Sequence, residues 1–509
     1  MKHLKKILLI FSFILILGFA AFTRLYGNNW DQGQHLNPDE RFLTMVATSM
    51  VWPSSIREYL DTEHSKLNPH NIGYDFFVYG TWPVIFVKFV AEHFDKGDYG
   101  NLTLIGRGIS GSCDLLTLLL VFLIGKRLAG KRHGIAAGLL STTAYALMTL
   151  PIQLSHFYTT DPYLTLFLTL SIYLLLFPPS KRIAILLGLS TGLALSAKIS
   201  GFLIFPVIGL YGLLFLITER SEGINDTYNV VMRVGHKMWK SIVPKSVHLL
   251  LFYFIFIAFF YVSFRLLMPY LFSSSGIVSV SLNQKVLTNW KTLEGFNNKD
   301  AWFPPGVQWI NQPKILYPFM NIAFAGIGPP LFLLGCISIC WVITKLKHHP
   351  FLFIPLLLFI ETFIYQGTRY GMNMRYFWSM YPLLAVFIGI FLSDLYSRRS
   401  TFYFRLSTLD PIPSVICLLS SVYFAACLIY PISYLSIYSK PHSRITASEW
   451  IYTHIPQQSR LGMEHWDDPL PLNLPDYPLS NVYTGVELPM YGEDTPKKME
   501  RITGEITSD

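Results

Sequence analysis

Two adjacent carboxylates, Asp39 and Glu40, follow the first apolar segment of the chain closely, in the run LNPDERF. A carboxylate at a membrane surface can accept the proton of an attacking hydroxyl group, so this pair is the first candidate for acid–base chemistry. The same run is also an ideal helix start. Asn37 can cap a helix, Pro38 suits its first position, and acidic residues favour its first turn.

Further ionisable residues lie at the predicted ends of apolar segments on the same side of the membrane: Arg107, His156, Asp161, Lys198 and Arg375, the last followed by Tyr376. Arginine and lysine hold phosphate groups through charge-assisted hydrogen bonds. An ionisable residue near bilayer depth costs roughly 2.5 to 3.5 kcal/mol on insertion scales, so several at one surface indicate a function. Each residue alone has a simpler interpretation, a helix cap for Asp161 and headgroup contacts for the cations.

Together, these residue types suit the transfer of a group from a lipid phosphate to a hydroxyl. The carboxylate would take the hydroxyl proton, and the cations would stabilise the departing phosphate. A non-enzymatic flippase or transporter of lipid-linked sugars would use the same cations, but it has no need of a carboxylate pair at one face. No opposite charges are expected to pair within a span, which disfavours an ion-coupled transporter.

The elements that must position these residues are membrane helices. The chain has 509 residues, of which 52% are hydrophobic and 14% are charged, whereas soluble proteins carry about 25% charged residues. Apolar segments recur that are long enough to cross a hydrocarbon core of about 30 Å. The sequence predicts an all-α polytopic membrane protein of about eleven transmembrane helices, at 6–25, 104–124, 134–154, 162–177, 183–197, 202–217, 248–268, 319–343, 351–366, 377–396 and 412–435.

Basic residues cluster in short loops between these segments, namely Lys126-Arg127 with Lys131-Arg132, Lys181-Arg182, Arg233 to Lys245, Lys345 to His349, and Arg398-Arg399. By the positive-inside rule, these loops and the N-terminus are cytoplasmic and the C-terminus is extracytoplasmic. We therefore expect a multi-pass protein of the plasma (cytoplasmic) membrane. The net charge of +9 is an orientation signal, and no nucleic-acid partner is predicted.

The predicted topology places residues 26–103, with the acidic motif, on the outer face. Within this loop, residues 79–90 are apolar but short, which is typical of a helix lying in the membrane interface. We expect residues 1–435 to form a transmembrane catalytic domain and 436–509 an extracytoplasmic segment, which we expect to be incomplete. A capping-box spacing from Thr446 to Glu449 predicts a short helix in this segment.

The ordered set of motifs resembles the GT-C glycosyltransferases, in particular glycosyltransferase family 39, which contains protein O-mannosyltransferases and bacterial aminoarabinose transferases. The resemblance covers roughly residues 1–400 and rests on DERF after the first span, GR at 106–107, SHF and TD within 155–161, AKISG at 197–201 and MRY at 374–376. It implies a GT-C-type bundle with interfacial helices in the first outer loop. It also implies transfer of a sugar, with inversion, from a polyprenyl-phosphate donor to a hydroxyl of a protein, lipid or glycan.

The resemblance implies a role for each site residue. Asp39 would be the general base, Glu40 would position the acceptor or support the base, and Asp161 would match the second acidic position of the family. The expected substrate- and phosphate-binding residues are Arg107, His156, Lys198, Arg375 and Tyr376. A divalent cation is left open, with Asp39, Asp161 and His156 as candidate ligands.

The sequence departs from close relatives at two places. Asn37 stands where a histidine is expected before Pro-Asp-Glu, and the carbohydrate-binding module of the eukaryotic mannosyltransferases is missing. Both departures leave the acceptor open. A neighbouring alternative is an oligosaccharyltransferase or polymerase of the same superfamily, although the chain lacks the long soluble domain expected of one.

Overall fold

The computed structural model describes residues 2–217, 238–301, 303–406, 412–464, 468–477, 483–491 and 493–507. Over these residues the chain is a bundle of helices with one small two-stranded sheet. From the predicted basic loops, Arg233 and the side chains of Arg398 and Arg399 lie outside the described residues.

The helices before residue 218 are α1 (Lys2–Leu25), α2 (Pro38–Ser49), α3 (Ile56–Tyr59), α4 (Thr81–His93), α5 (Tyr99–Leu128), α6 (Gly130–Ala146), α7 (Thr149–Ser155), α8 (Asp161–Leu175), α9 (Lys181–Ala197) and α10 (Ile204–Ile217). The later elements are α11 (Met238–Leu267), α12 (Gln284–Gly295), α13 (Leu316–Asn321), α14 (Pro329–Lys345), α15 (Phe353–Gly367), α16 (Tyr381–Leu406), α17 (Ile412–Leu435), α18 (Ser443–His454), β1 (Arg460–Glu464), β2 (Thr484–Leu488) and α19 (Pro496–Thr507). A π-helical stretch, Ile322–Ile327, precedes α14, and a short 3-10 helix, Met374–Met380, precedes α16.

Every predicted span is largely helical in the described part of the chain, although 134–154 and 319–343 each extend over more than one helix. The predicted number of eleven membrane crossings is not confirmed. Seven helices there are long and apolar enough to cross a membrane, and eight are if α6 and α7, which meet at a bend of 64°, form one span. The helices α8, α9 and α14 have 15, 17 and 17 residues, at or below the lower end of the usual length for a span. A polytopic helical membrane fold is confirmed, whereas the orientation of the termini remains a prediction.

Small residues allow the membrane helices to pack closely, as α9 and α11 do. A side-chain carbon at Gly188 would lie 2.6 Å from the carbonyl oxygen of Phe256, and one at Gly192 would lie 2.6 Å from the hydroxyl of Ser263. Without these glycines the two backbones would have to separate, because lipid-embedded helices associate through close contact. This packing fixes α9, which ends next to Lys198.

One charge pair lies inside the bundle, which corrects the expectation that no opposite charges pair within a span. Arg24, at the end of α1, donates to Asp114 of α5 over 2.8 Å, and both side chains are fully buried. Tyr145 of α6 donates to the other carboxylate oxygen of Asp114. A buried arginine in a membrane bundle requires such partners. The cluster joins the helices α1, α5 and α6.

The short helix predicted at 79–90 forms as α4. The amide of Gly80 donates to the carbonyl of Ala197 over 3.1 Å, and the indole of Trp82 donates to the carbonyl of Leu193 over 3.2 Å. These bonds attach the start of α4 to the end of α9. The residues just before α4 are therefore held close to Lys198.

The segment after α17 packs against the loop that carries the acidic motif. Asp468 pairs with Arg41 of α2, and the ring of His442 lies 5.6 Å from that of Trp30. The parallel strands β1 and β2 form a two-stranded sheet in this segment. The predicted helix forms as α18, but the capping-box prediction was wrong, because the helix begins one turn earlier, where His442 accepts from the amide of Arg444 over 3.2 Å.

Candidate active site

The acidic motif begins the helix α2, as its sequence predicts. The side chain of Asn37 accepts from the amide of Glu40 over 3.2 Å, and Pro38 occupies the first helical position. Because the cap fixes the first turn, Asp39 and Glu40 leave the helix in different directions. The two side chains enter different environments.

Asp39 is partly accessible and is held by two partners. The phenol of Tyr79, just before α4, donates to one carboxylate oxygen over 2.6 Å, and Arg375 pairs with the other. The exposed fractions of the Asp39 and Arg375 side chains are 26% and 23%. Burial acts to raise the pKa of Asp39, but the charge of Arg375 and the bond from Tyr79 outweigh it, so the pKa lies below its usual value. Asp39 is thus ionised at neutral pH.

The phenol of Tyr79 keeps its proton. Burial, together with the neighbouring carboxylate of Asp39, raises the pKa of Tyr79 well above its usual value. A neutral phenol can donate a hydrogen bond to a carboxylate, and the negative charge stays on the carboxylate. Tyr79 therefore orients Asp39 but does not compete with it for a proton.

A second ion pair lies beside the first. Lys198 donates to Asp161, the first residue of α8, over 2.6 Å. The ring of Tyr376 joins the two pairs, because the ammonium of Lys198 lies 4.7 Å and the guanidinium carbon of Arg375 lies 5.3 Å from its centre. The charge of Lys198 also acts on Asp39. The structure thus brings together five predicted site residues, Asp39, Asp161, Lys198, Arg375 and Tyr376.

Glu40 enters a buried network. Its carboxylate accepts from Arg107 of α5 over 2.6 and 2.8 Å, and the same guanidinium donates to Asp31 over 2.8 and 2.9 Å. A further bond of 2.8 Å runs from Arg107 to the carbonyl of Asn28, so all five of its N–H groups are engaged. The side chains of Glu40 and Arg107 are fully buried.

This geometry changes the expected role of Arg107. A guanidinium that gives all its N–H groups to two carboxylates and a carbonyl has none left for a phosphate. Arg107 is therefore placed to support α2 and not to bind a phosphate. Glu40, without exposed surface, is likewise placed to fix the helix and not to contact an acceptor.

His156 is also buried and engaged within the protein. Its two ring nitrogens lie 2.7 Å from the carbonyl oxygen of Ile152 and 2.8 Å from that of Tyr26. Its ring stacks on Tyr438 at 3.9 Å between centres. These contacts join the ends of α1 and α7 to the segment after α17, and they leave neither ring nitrogen directed at the Asp39 cluster.

Sequence reasoning missed Asp31 and Tyr79. An arginine within an apolar helix requires a counter-ion, so Arg107 was itself a signal for a carboxylate in the adjoining loop, where Asp31 stands. Tyr79 had no such signal, because its neighbours made it part of an apolar helix. The two residues are defined by what they contact and not by a motif.

The candidate metal ligands do not form a metal site. Asp39 and Asp161 each pair with a cation, and the ring nitrogens of His156 face carbonyl oxygens. Within the described ranges, no group of three or more histidine, cysteine or acidic side chains is arranged to hold an ion. The residues present therefore do not fit a metal ion.

Comparison with known families supports the resemblance seen in the sequence. Residues 96–268 match the sequence model of the family described as dolichyl-phosphate-mannose-protein mannosyltransferase. The match includes Asp161 and Lys198 but neither Asp39 nor Arg375, and it covers less than half of the chain. A search of curated proteins found no significant match.

Three solved structures resemble this chain to different degrees. ArnT from Cupriavidus metallidurans, bound to undecaprenyl phosphate, is 13% identical, with a TM-score of 0.50 over 92% of this chain and 85% of that chain. The Archaeoglobus fulgidus oligosaccharyltransferase is 14% identical, with a TM-score of 0.49 over 87% of this chain. The chain spans 58% of the length of that archaeal protein. The Pmt1-Pmt2 protein O-mannosyltransferase complex of S. cerevisiae is 19% identical, with a TM-score of 0.35 over 51% of this chain and 34% of that chain.

The family match concerns the sequence of residues 96–268, and the ArnT match concerns the fold. The chain therefore has the GT-C fold, and its predicted resemblance to the GT-C glycosyltransferases is confirmed.

Proposed function

We propose that this chain is a membrane glycosyltransferase that moves a sugar from a polyprenyl-phosphate donor to an acceptor hydroxyl. The observation that carries the proposal is the partly accessible cluster in which Asp39 meets Arg375, and Asp161 meets Lys198, around the ring of Tyr376. It combines an ionised carboxylate with two cations, which is what hydroxyl attack on a lipid-phosphate sugar requires. The match to a dolichyl-phosphate-mannose family supports the donor class, as does undecaprenyl phosphate in the similarly folded ArnT.

The proposed reaction is a single displacement. Asp39 takes the proton of the acceptor hydroxyl, whose oxygen forms a bond to the anomeric carbon of the sugar. The bond from that carbon to the phosphate oxygen breaks on the opposite side, and its electron pair leaves with the phosphate. Arg375 and Lys198 stabilise the charge on the departing lipid phosphate. The anomeric configuration is therefore inverted.

Each cation already has a carboxylate partner, and this pairing suggests how the donor binds. A phosphate that enters between Arg375 and Lys198 competes with Asp39 and Asp161 for their N–H groups. As Arg375 turns to the phosphate, the carboxylate oxygen of Asp39 is freed for the acceptor hydroxyl. Tyr79 stays on the other oxygen and keeps the carboxylate oriented.

The proposal is tested by turnover of the purified protein. The detergent-solubilised chain is given polyprenyl-phosphate-linked sugars, including mannose and aminoarabinose, with a peptide, lipid or glycan mixture, and the released polyprenyl phosphate is measured. Asp39→Asn should lower the rate about 10²- to 10⁴-fold, the usual contribution of a general base. The control Asp300→Asn alters an exposed carboxylate between α12 and α13 and should leave the rate unchanged.

Two results would overturn the proposal. One is release of lipid phosphate by Asp39→Asn at the wild-type rate. The other is a complete lack of release by the wild-type protein across the whole donor and acceptor panel. Retention of the donor's anomeric configuration, read by NMR, would contradict the single displacement.

A further inference from the structure

The helix α12 carries none of the proposed catalytic residues, yet it contacts both segments that hold Asp39. One segment precedes α4 and bears Tyr79, and the other precedes the 3-10 helix Met374–Met380, which bears Arg375. These residues occupy the two carboxylate oxygens of Asp39. The two segments lie far apart in the chain, so a single helix that contacts both can hold Tyr79 and Arg375 in place together.

The first contact is made by Asn289 of α12, whose side chain is buried. Its amide nitrogen lies 2.9 Å from the carbonyl oxygen of Asp75 and 3.4 Å from that of Phe77. It also lies 2.9 Å from a ring nitrogen of His70. Phe77 is two residues before Tyr79, so Asn289 fixes the backbone from which the phenol reaches Asp39.

The second contact is made by Asn297, two residues beyond the end of α12. Its side-chain oxygen accepts from the amides of Tyr370 and Gly371 over 2.6 and 3.2 Å. Nearby, Glu294 and Arg369 form a two-bond pair of 2.6 and 2.9 Å. The held segment leads directly into the turn that presents Arg375.

We propose that α12 with Asn297 is a brace that positions the two partners of Asp39, and that Asn289 and Asn297 are positioning residues for the general base. This inference rests on the proposed function for its catalytic meaning. Its physical content is independent of any substrate. Loss of either contact allows Tyr79 or Arg375 to withdraw from the carboxylate.

Withdrawal has a measurable consequence at Asp39. The groups that face this carboxylate are Arg375, Tyr79 and Lys198, while Asp161 and Tyr376 act on Arg375. The first three lower the pKa of Asp39 against the effect of burial. When Arg375 or Tyr79 moves away, burial prevails and the pKa of Asp39 rises.

The test measures protonation of Asp39 without a substrate. Dicyclohexylcarbodiimide modifies protonated carboxyl groups, and mass spectrometry of the Asp39 peptide gives the extent of modification at each pH. The wild-type midpoint should lie below the usual value of an aspartate. In Asn297→Ala it should move upward by about one pH unit or more, since an opposite charge nearby is worth about 1 to 3 units. In Asn289→Ala, which loosens only the bond from the neutral phenol, the upward shift should be smaller.

Aspartate substitutions make the test specific, because the two asparagines use opposite atoms. Asn297 accepts from two amides, and an aspartate can still do so, so Asn297→Asp should keep the wild-type midpoint. Asn289 donates to two carbonyls, which an aspartate cannot do, so Asn289→Asp should match Asn289→Ala. Lys291→Gln, at an exposed position of the same helix, should have no effect.

The proposal would be overturned if both alanine variants kept the wild-type midpoint while each eluted as a single species. If the Asn289 variants do not fold, the pair Asn297→Ala and Asn297→Asp decides, since equal midpoints in these two contradict the proposal. Failure of the proposed function has a different signature, namely wild-type turnover by Asp39→Asn whatever the labelling midpoints are.

Discussion

Asp39 and Glu40 are neighbours in the sequence, but they lie in two different regions of the molecule. Asp39 and its partner Arg375 keep 26% and 23% of their side chains exposed. Glu40 and its partner Arg107 are fully buried. Both are carboxylate–arginine pairs at the start of the same helix, so the surroundings and not the residue types separate them.

The difference shows that one motif contains both a candidate catalytic residue, Asp39, and a residue that holds the helix in place, Glu40. Arg107 is shared by two carboxylates and uses all its N–H groups, so the buried pair can only hold α2 against α5. The accessible pair keeps part of its surface exposed, and the buried side-chain nitrogen Nε of Arg375 has no hydrogen-bond partner in the described structure. A buried polar group without a partner is costly, so this nitrogen favours a ligand at that position.

The largest contrast is expected in stability. Arg107→Leu leaves Glu40 and Asp31 buried without a cation, which should lower the free energy of unfolding by about 3 to 5 kcal/mol. The same substitution in the partly accessible pair, Arg375→Leu, should cost less, because Asp39 keeps the bond from Tyr79 and 26% of its side chain exposed. Denaturant titration in detergent micelles measures both. Equal losses would remove the distinction between the two regions.

A smaller contrast is expected in phosphate affinity. Arg375→Ala and Lys198→Ala should each weaken binding of undecaprenyl phosphate about 10- to 100-fold, because a hydrogen bond to a charged group contributes roughly 1.5 to 3 kcal/mol. Lys314→Gln, at an exposed position between α12 and α13, serves as the control. Native mass spectrometry gives the affinities. Wild-type binding by both alanine variants would show that phosphate is held elsewhere.

The smallest effect is expected from Tyr79→Phe. The phenol bond lowers the pKa of Asp39, so its loss raises that pKa and moves the acidic limb of the pH–rate profile to higher pH. The shift should be smaller than the one caused by loss of Arg375, whose charge is the stronger of the two lowering effects. Above this limb the rate should approach that of the wild type. A shift to lower pH would contradict the sign of the argument.

Features that depend on local sequence could be predicted. Asn37 and Pro38 start α2 as expected, because a cap and a fixed backbone angle act within one turn. The apolar segments mark the helices, but length alone could not decide how many cross the membrane, since the bend between α6 and α7 and the short α8 depend on packing. The start of α18 was misplaced because His442 took the capping position.

Pairings across the chain could not be predicted. Arg375 is 336 residues from Asp39 and Arg107 is 67 residues from Glu40, and both arginines stand near the ends of predicted spans. Residue type identified both arginines as candidates. Only the fold decides which arginine meets the accessible carboxylate, and therefore which cation stays available to a phosphate.

The most direct test of this distinction is a structure of the protein with undecaprenyl phosphate bound, determined by cryo-electron microscopy. The account predicts phosphate density within hydrogen-bond distance of Arg375 and Lys198, with Arg107 still bonded to Glu40 and Asp31. Density for the phosphate at Arg107, with the Asp39–Arg375 pair undisturbed, would contradict it.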